Sequence, residues 1–217
     1  MGRAPEEADT MQRRLFHAAI LTLAAPSLAA PGRGRAQSGF EPMFNGRDLS
    51  GWEPIGNANW RWEDGAVVAD RGVGFLVSTR EYANFRLRTE FFAETHTNSG
   101  IFIRAINPTT VNAANSYEVN IWDERPEPRF GTGAIVDVAA VDPMPRAGGS
   151  WNSFDITANG EVLTVVLNGQ TTVPGVRSNR HARGRIALQH AASVPGADGQ
   201  PNDRGVIRFR NLEIQVL

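Results

Sequence analysis

The sequence predicts an all-β protein built from two packed antiparallel sheets, a sandwich or jelly roll. Three observations predict it. Apolar residues from Phe40 onward recur with period two, turn signals interrupt them at short intervals, and no segment after residue 40 carries a helical stripe. Trp60 and Trp62 share a parity ahead of the turn Glu63-Asp64-Gly65. Phe85, Leu87, Thr89 and Phe91 alternate with Arg86, Arg88 and Glu90. Ile101 and Ile103 alternate with Phe102 and Arg104, and Val119 and Ile121 alternate with Glu118, Asn120 and Trp122. Leu163, Val165 and Leu167 form the core face of a strand between the turns at Asn159-Gly160 and Asn168-Gly169. Near the C-terminus, Ile207 and Phe209 have one parity and Leu212, Ile214 and Val216 the other, so a β-bulge is expected at Asn211. Pro143 to Ser150 and Ala191 to Arg204 are rich in Gly and Pro and read as long surface loops, the kind that frame binding sites.

Composition narrows the chemistry. The chain has 217 residues with 22 basic and 23 acidic side chains, a balance that lacks the excess of cations a nucleic-acid protein uses against phosphates. Every basic residue is Arg, which removes Schiff-base and lysine-base mechanisms. With no Cys, disulfides, thiolate nucleophiles and Cys-ligated metals are excluded.

Residues 1–36 read as an export signal. Arg13-Arg14-Leu15-Phe16 precedes an apolar run from His17 to Ala30, followed by a small-residue exit at Gly34 and Ala36. The paired arginines resemble a twin-arginine signal, and Met11 is a second candidate start. The expected location is periplasmic or secreted. The remaining domain, residues 40–217, has no apolar run long enough to span a membrane.

Several segments occur in an order that resembles one family. Phe44-Asn45-Gly46-Arg47-Asp48-Leu49-Ser50-Gly51-Trp52 is similar to its opening motif, and Asn98-Ser99-Gly100-Ile101-Phe102-Ile103-Arg104 to its second. Tyr117-Glu118-Val119-Asn120-Ile121-Trp122-Asp123 follows, with Asn120 where the family carries Gln. Trp151-Asn152-Ser153-Phe154, Leu163 to Gly169, Ile186-Ala187-Leu188-Gln189-His190 and Phe209-Arg210-Asn211-Leu212 complete the order. Residues 40–217 thus resemble the 3-keto-disaccharide hydrolase domain family. The resemblance implies a concanavalin A-like jelly roll and a substrate already oxidised at C3 of its sugar.

That substrate suits the acids available. Retaining glycosidases need two carboxyls about 5–5.5 Å apart. Glu118 and Asp123 are five residues apart, which sends them to opposite faces and separates them by roughly 16 Å. A C3 ketone acidifies the hydrogen at C2, so one base, one proton donor and a group to hold the enolate suffice. Glu118, His190 and Arg104 are the candidate catalytic residues, His190 as a proton shuttle and Arg104 as the enolate holder. Asn120, Trp122, Gln189 and Trp151 are candidate sugar contacts, the indoles by stacking on apolar sugar faces. Parity sets Gln189 with Ala187, opposite Ile186 and Leu188, whereas His190 has the core parity unless its strand ends there. No cofactor is expected; Asp123 could hold a divalent cation with loop carbonyls, or cap backbone amides at its strand end.

Besides a structural or partner-binding sandwich, two functions stay open on the residues alone. One is an exported hydrolase cleaving 3-keto-glucosides and 3-keto-disaccharides by elimination of the aglycone and hydration. The other is a lectin-like module that binds carbohydrate without catalysis, since fold alone does not decide function.

Overall fold

The structure, a computed structural model, describes residues 39–195, 199 and 202–217. The expected export signal at residues 1–36 lies outside the described residues.

Among the described residues thirteen strands form two antiparallel sheets. In chain order they are β1 (Glu41–Pro42), β2 (Trp52–Gly56), β3 (Arg61–Glu63), β4 (Ala66–Ala69), β5 (Gly74–Tyr82), β6 (Phe85–Ala93) and β7 (Asn98–Ala105). They continue as β8 (Tyr117–Ile121), β9 (Trp151–Asn159), β10 (Val162–Leu167), β11 (Gln170–Arg177), β12 (Gly184–Ala191) and β13 (Ile207–Val216). An eight-stranded sheet runs β11-β10-β9-β6-β13-β4-β3, with β1 paired to β13; a five-stranded sheet runs β2-β5-β12-β7-β8. Among the described residues the only helix is a single 3-10 turn, Pro128–Phe130. The all-β expectation holds.

The period-two pattern explains the packing. Phe85, Leu87 and Phe91 of β6, Phe154 and Ile156 of β9, and Leu76, Ile101, Val119, Ile186 and Leu188 of the smaller sheet fill one core. Their neighbours in sequence face outward. Asn168 and Gly169 both take positive φ, 50° and 78°, and close the β10–β11 hairpin as a two-residue turn of the kind that matches strand twist. The bulge expected at Asn211 is present: φ is 51° there and the β13–β6 register shifts between Arg210 and Glu213.

The smaller sheet has two differently used faces. Residues Ile55 of β2, Phe75 of β5, Gln189 of β12, Gly100 of β7 and Asn120 of β8 stand in register across it. The next outward-facing row is Glu53, Val77, Ala187, Phe102 and Glu118. Val77, Phe102, Ala105 and Ala187 form a second apolar cluster, distinct from the core, onto which Val111 packs. Both faces of this sheet are therefore apolar at their centre.

Strict alternation also fails in β7. Between the pairs Arg185–Ala105 and Ala187–Phe102, β7 sets two residues, Ile103 and Arg104, against Ile186 alone. Arg104 takes a φ of 52°, an uncommon left-handed conformation for a non-Gly residue. This bulge returns Ala105 to the side of Phe102 and swings Arg104 away from it. The Arg104 side chain is sealed at one end of the sandwich, 1% exposed. It donates to Ala83 O at 2.6 and 2.8 Å, to Gly160 O at 2.8 Å and to His181 O at 3.1 Å. It ties three turns together.

Truncating Arg104 leaves those carbonyls without their donor, with His181 O buried among them. Arg104→Ala is expected to lose on the order of 3 kcal/mol of stability in urea unfolding, and Arg104→Lys to recover only part of it.

Candidate functional site

Glu118 is the second residue of β8, flanked by Tyr117 and Val119, whose side chains enter the core. Its own side chain faces outward, opposite Phe102 in register. The segment after β8 folds back along its free edge: Asn120 N donates to Ala134 O, Gly133 N to Asn120 O, and Val136 N to Glu118 O. Phe130, Ala134, Val136 and Val141 of that segment form a third apolar cluster beside β8. The residue is consequently only 8% exposed, and among the described residues its carboxyl accepts no hydrogen bond. Burial pushes its pKa up to about 7; the Arg125 guanidinium pulls it down and Asp137 pushes it further up.

Other outward-facing polar atoms around Glu118 are also unpaired. Asn120 is fully buried and donates through Nδ2 to Phe130 O at 2.7 Å, which leaves Oδ1 without a partner. Gln189 Oε1 is a second buried acceptor without a donor. Gly100 stands between these two in register, and a Cβ there would come within 3.4 Å of Glu118 Cγ and of Phe102 Cε2. The absent side chain lets the Glu118 stem and the Phe102 ring lie close over the strand, between the two unpaired acceptors. Arg185 holds Glu53 at 3.0 Å through Nη1 while its Nε is buried and unpaired, and Arg125 Nε is in the same state. Buried polar groups in native proteins nearly always have partners, so this concentration on one sheet face marks a place for a polar ligand.

The structure brings together Glu118, Asn120, Gln189 and Trp122. Trp122 continues the parity of Glu118 and Asn120, and its indole Nε1 donates to Ser193 Oγ at 3.2 Å. It does not bring together the other four. Arg104 is turned away by the β7 bulge and has its donors on backbone carbonyls, so it cannot hold an enolate beside Glu118. His190 keeps the core parity, fully buried, with Nδ1 2.5 Å from Gly72 O and Nε2 2.6 Å from Gly205 O. It pins two loops to β12 and has no path to the outer face, which removes it as proton shuttle. Trp151 belongs to β9 in the eight-stranded sheet, 40% exposed, beside Phe92 and under the Arg210 guanidinium 3.9 Å from its ring centroid. The whole core separates it from Glu118. Asp123 accepts from Thr132 Oγ at 2.6 Å and from the amides of Ala147 and Gly148 at 2.9 Å each. Donors surround its carboxylate, an arrangement for clamping the following loop rather than holding a cation.

Sequence reasoning missed Arg185 and Arg125. The parity of Arg185 with Ala187 and Gln189 was available as a signal; Arg125 lies beyond the strand, where parity says nothing.

Relatives share this architecture. The profile of the 3-keto-alpha-glucoside-1,2-lyase-like domain family matches residues 39–215. The chain belongs to that family. Among similar solved structures is a candidate glycosyl hydrolase from Parabacteroides distasonis, 25% identical, with a TM-score of 0.62, covering 82% of this chain and 99% of its own. A second from the same organism is 18% identical with a TM-score of 0.67, covering 82% of this chain and 94% of its own. The carbohydrate-binding module CBM66 of Bacillus subtilis is 14% identical with a TM-score of 0.56, covering 76% of this chain and 95% of its own, and shares the fold. No curated protein matches the chain. The domain is thus a carbohydrate-active jelly roll.

Glu118 makes stability depend on pH. Its pKa is raised on folding, from 4.5 to about 7, so the folded state binds the proton more tightly than the unfolded state. Stability is full below pH 4.5, falls as pH rises towards 7, and levels off above it. Glu118→Gln removes this loss: it is expected to match the wild type at pH 4 and to exceed it by about 3 kcal/mol at pH 8, read by urea unfolding at each pH.

Proposed function

We propose that this domain cleaves 3-keto-glucosides by elimination at Glu118, followed by hydration, in an exported protein. The single observation that supports the reading most is a buried carboxyl without hydrogen bonds whose pKa lies near 7, where a general base operates well. A module that only binds sugar has no use for a carboxyl kept so costly to ionise.

Arg104 and His190 are engaged elsewhere, so one carboxyl serves twice. Ionised Glu118 removes the proton from C2 of the 3-keto sugar. The C2–H electron pair becomes the C2=C3 bond of an enolate, and the ketone π pair moves onto the C3 oxygen. Collapse of the enolate restores the ketone, forms C1=C2 and breaks the bond from C1 to the aglycone oxygen. Protonated Glu118, with a pKa of about 7, is a competent acid to hand its proton to that oxygen. Water then adds across C1=C2, the hydroxyl to C1 and the proton to C2, giving the free 3-keto sugar. Asn120 Oδ1 and Gln189 Oε1 accept from sugar hydroxyls laid over the Gly100 row of the sheet, and Trp122 walls the site. The raised pKa of Glu118 sets the proton inventory: the reactive fraction of the free protein grows as pH rises through about 7.

The expected outcome with a purified 3-keto-disaccharide is release of the aglycone and 3-ketoglucose, with kcat/KM rising through pH 7. Glu118→Gln should lower kcat on the order of 10³-fold. Inert folded protein that instead binds the unoxidised glycan tightly, in calorimetry and without need of Glu118, would replace this reading with that of a binding module.

A further inference from the structure

The elimination places a negative charge on the C3 oxygen, and the residue expected from sequence to hold it, Arg104, is elsewhere. We propose that Arg125 holds that oxygen, an inference that rests on the elimination reading above.

Arg125 follows β8 by four residues, and its guanidinium lies over the Trp122 ring, 5.8 Å from the centroid. Trp122 has the parity of Glu118 and Asn120, so the stacked arginine belongs to the same side of the sheet. Its Nε is buried and unpaired, and among the described residues it has no acid within ion-pair distance. An arginine half-withdrawn from water without a carboxylate partner is unusual, because the loss of hydration is normally offset by pairing. The charge of Arg125 is felt at Glu118, whose pKa it lowers.

Other arginines of the region each have a partner, although Arg185 also keeps a buried Nε unpaired. Arg185 is tied to Glu53, and Glu53 stands on β2, at the opposite edge of the sheet from β8. Arg185 itself stands on β12, two strands from β8, and its Nη1 is drawn toward that far edge. Arg129 is paired with Glu127, and Arg146 donates to Asp123 O at 3.1 Å. Among the described arginines of the region, Arg125 combines a charge felt at Glu118 with an unused Nε and no carboxylate partner. A guanidinium offers five N–H groups in a fixed plane, so it can keep its stack on Trp122 while two of them turn to an oxyanion. As the C2–H bond breaks and charge moves onto the C3 oxygen, Arg125 stabilises that charge. The same cation lowers the pKa of the base that creates it.

The test compares Arg125→Met and Arg125→Lys with the wild type in two readouts. One is the titration midpoint of Glu118, followed by NMR on carbon-13-labelled glutamate. The other is kcat and KM on a 3-keto-disaccharide. Arg125→Met is expected to raise the midpoint by about one pH unit. It should also lower kcat about 10²-fold with little change in KM, the loss seen when a preorganised oxyanion donor is removed. Arg125→Lys keeps the charge and loses the fork, so it should restore the midpoint but only part of kcat. Undiminished kcat in folded Arg125→Met overturns the assignment and leaves the elimination reading standing. A wild type inert on 3-keto sugars removes the elimination reading, and this role with it. If Arg125→Met fails to fold, Arg125→Lys decides: full kcat overturns the proposal and a partial one supports it.

Discussion

The arrangement depends on one carboxyl group kept against an apolar sheet face without a hydrogen-bond donor. Glu118 faces Phe102 across the register, and the strands beneath it bury apolar side chains on both faces. The segment from Phe130 to Val141 closes over the edge of β8. Ionisation in that setting has to be met by a neighbouring cation or by a ligand, because water is largely excluded. Glu118 is therefore poised between its two protonation states at neutral pH, and the fold bears the energetic consequence. Sites that carry such strain commonly carry function as well.

Much of this was legible in the sequence because alternation in a strand is a geometric certainty. Glu118, Asn120 and Trp122 sit two residues apart, so they share a face wherever the strand goes. Gln189 joins them because its neighbours Ile186 and Leu188 claim the core. The bulge at Asn211 could be read because apolar residues on both sides of it have conflicting parity. The bulge at Arg104 could not. The segment is too short after the bulge for a second apolar run to declare itself, and nothing in an arginine announces a φ of 52°. Trp151 failed for a different reason. Alternation assigns a residue to a face of its strand, but which of two sheets the strand joins depends on pairing across the whole chain.

The family motifs divide into two physical kinds. Arg104, His190 and Asp123 all stand in motif segments, yet each has its hydrogen-bonding capacity taken up by backbone carbonyls, amides or a hydroxyl of its own fold. They brace turns and loops, and a substrate has nothing to add to them. Glu118, Asn120 and Gln189 stand in the same segments with capacity left over. A titratable residue in a motif is thus weak evidence of chemistry. An unmet donor or acceptor beside it is stronger, because folding leaves such a group unpaired only against a cost of about 1–3 kcal/mol.

Gly100 ties these two kinds together. Its amide and carbonyl belong to a strand whose register sets Asn120 on one side and Gln189 on the other. The braces at Ser99 and Arg104 hold the ends of that strand, Ser99 by donating to Gln189 O at 2.6 Å. Any side chain at position 100 would stand against Glu118 Cγ and the Phe102 ring. Glycine at this position therefore lets both side chains pack onto a strand that is fixed at both ends. A ligand laid over this row meets two acceptors and the carboxyl at once. That coincidence depends on the register of three strands and on no single loop, which is why the site is built into the sheet rather than added to it.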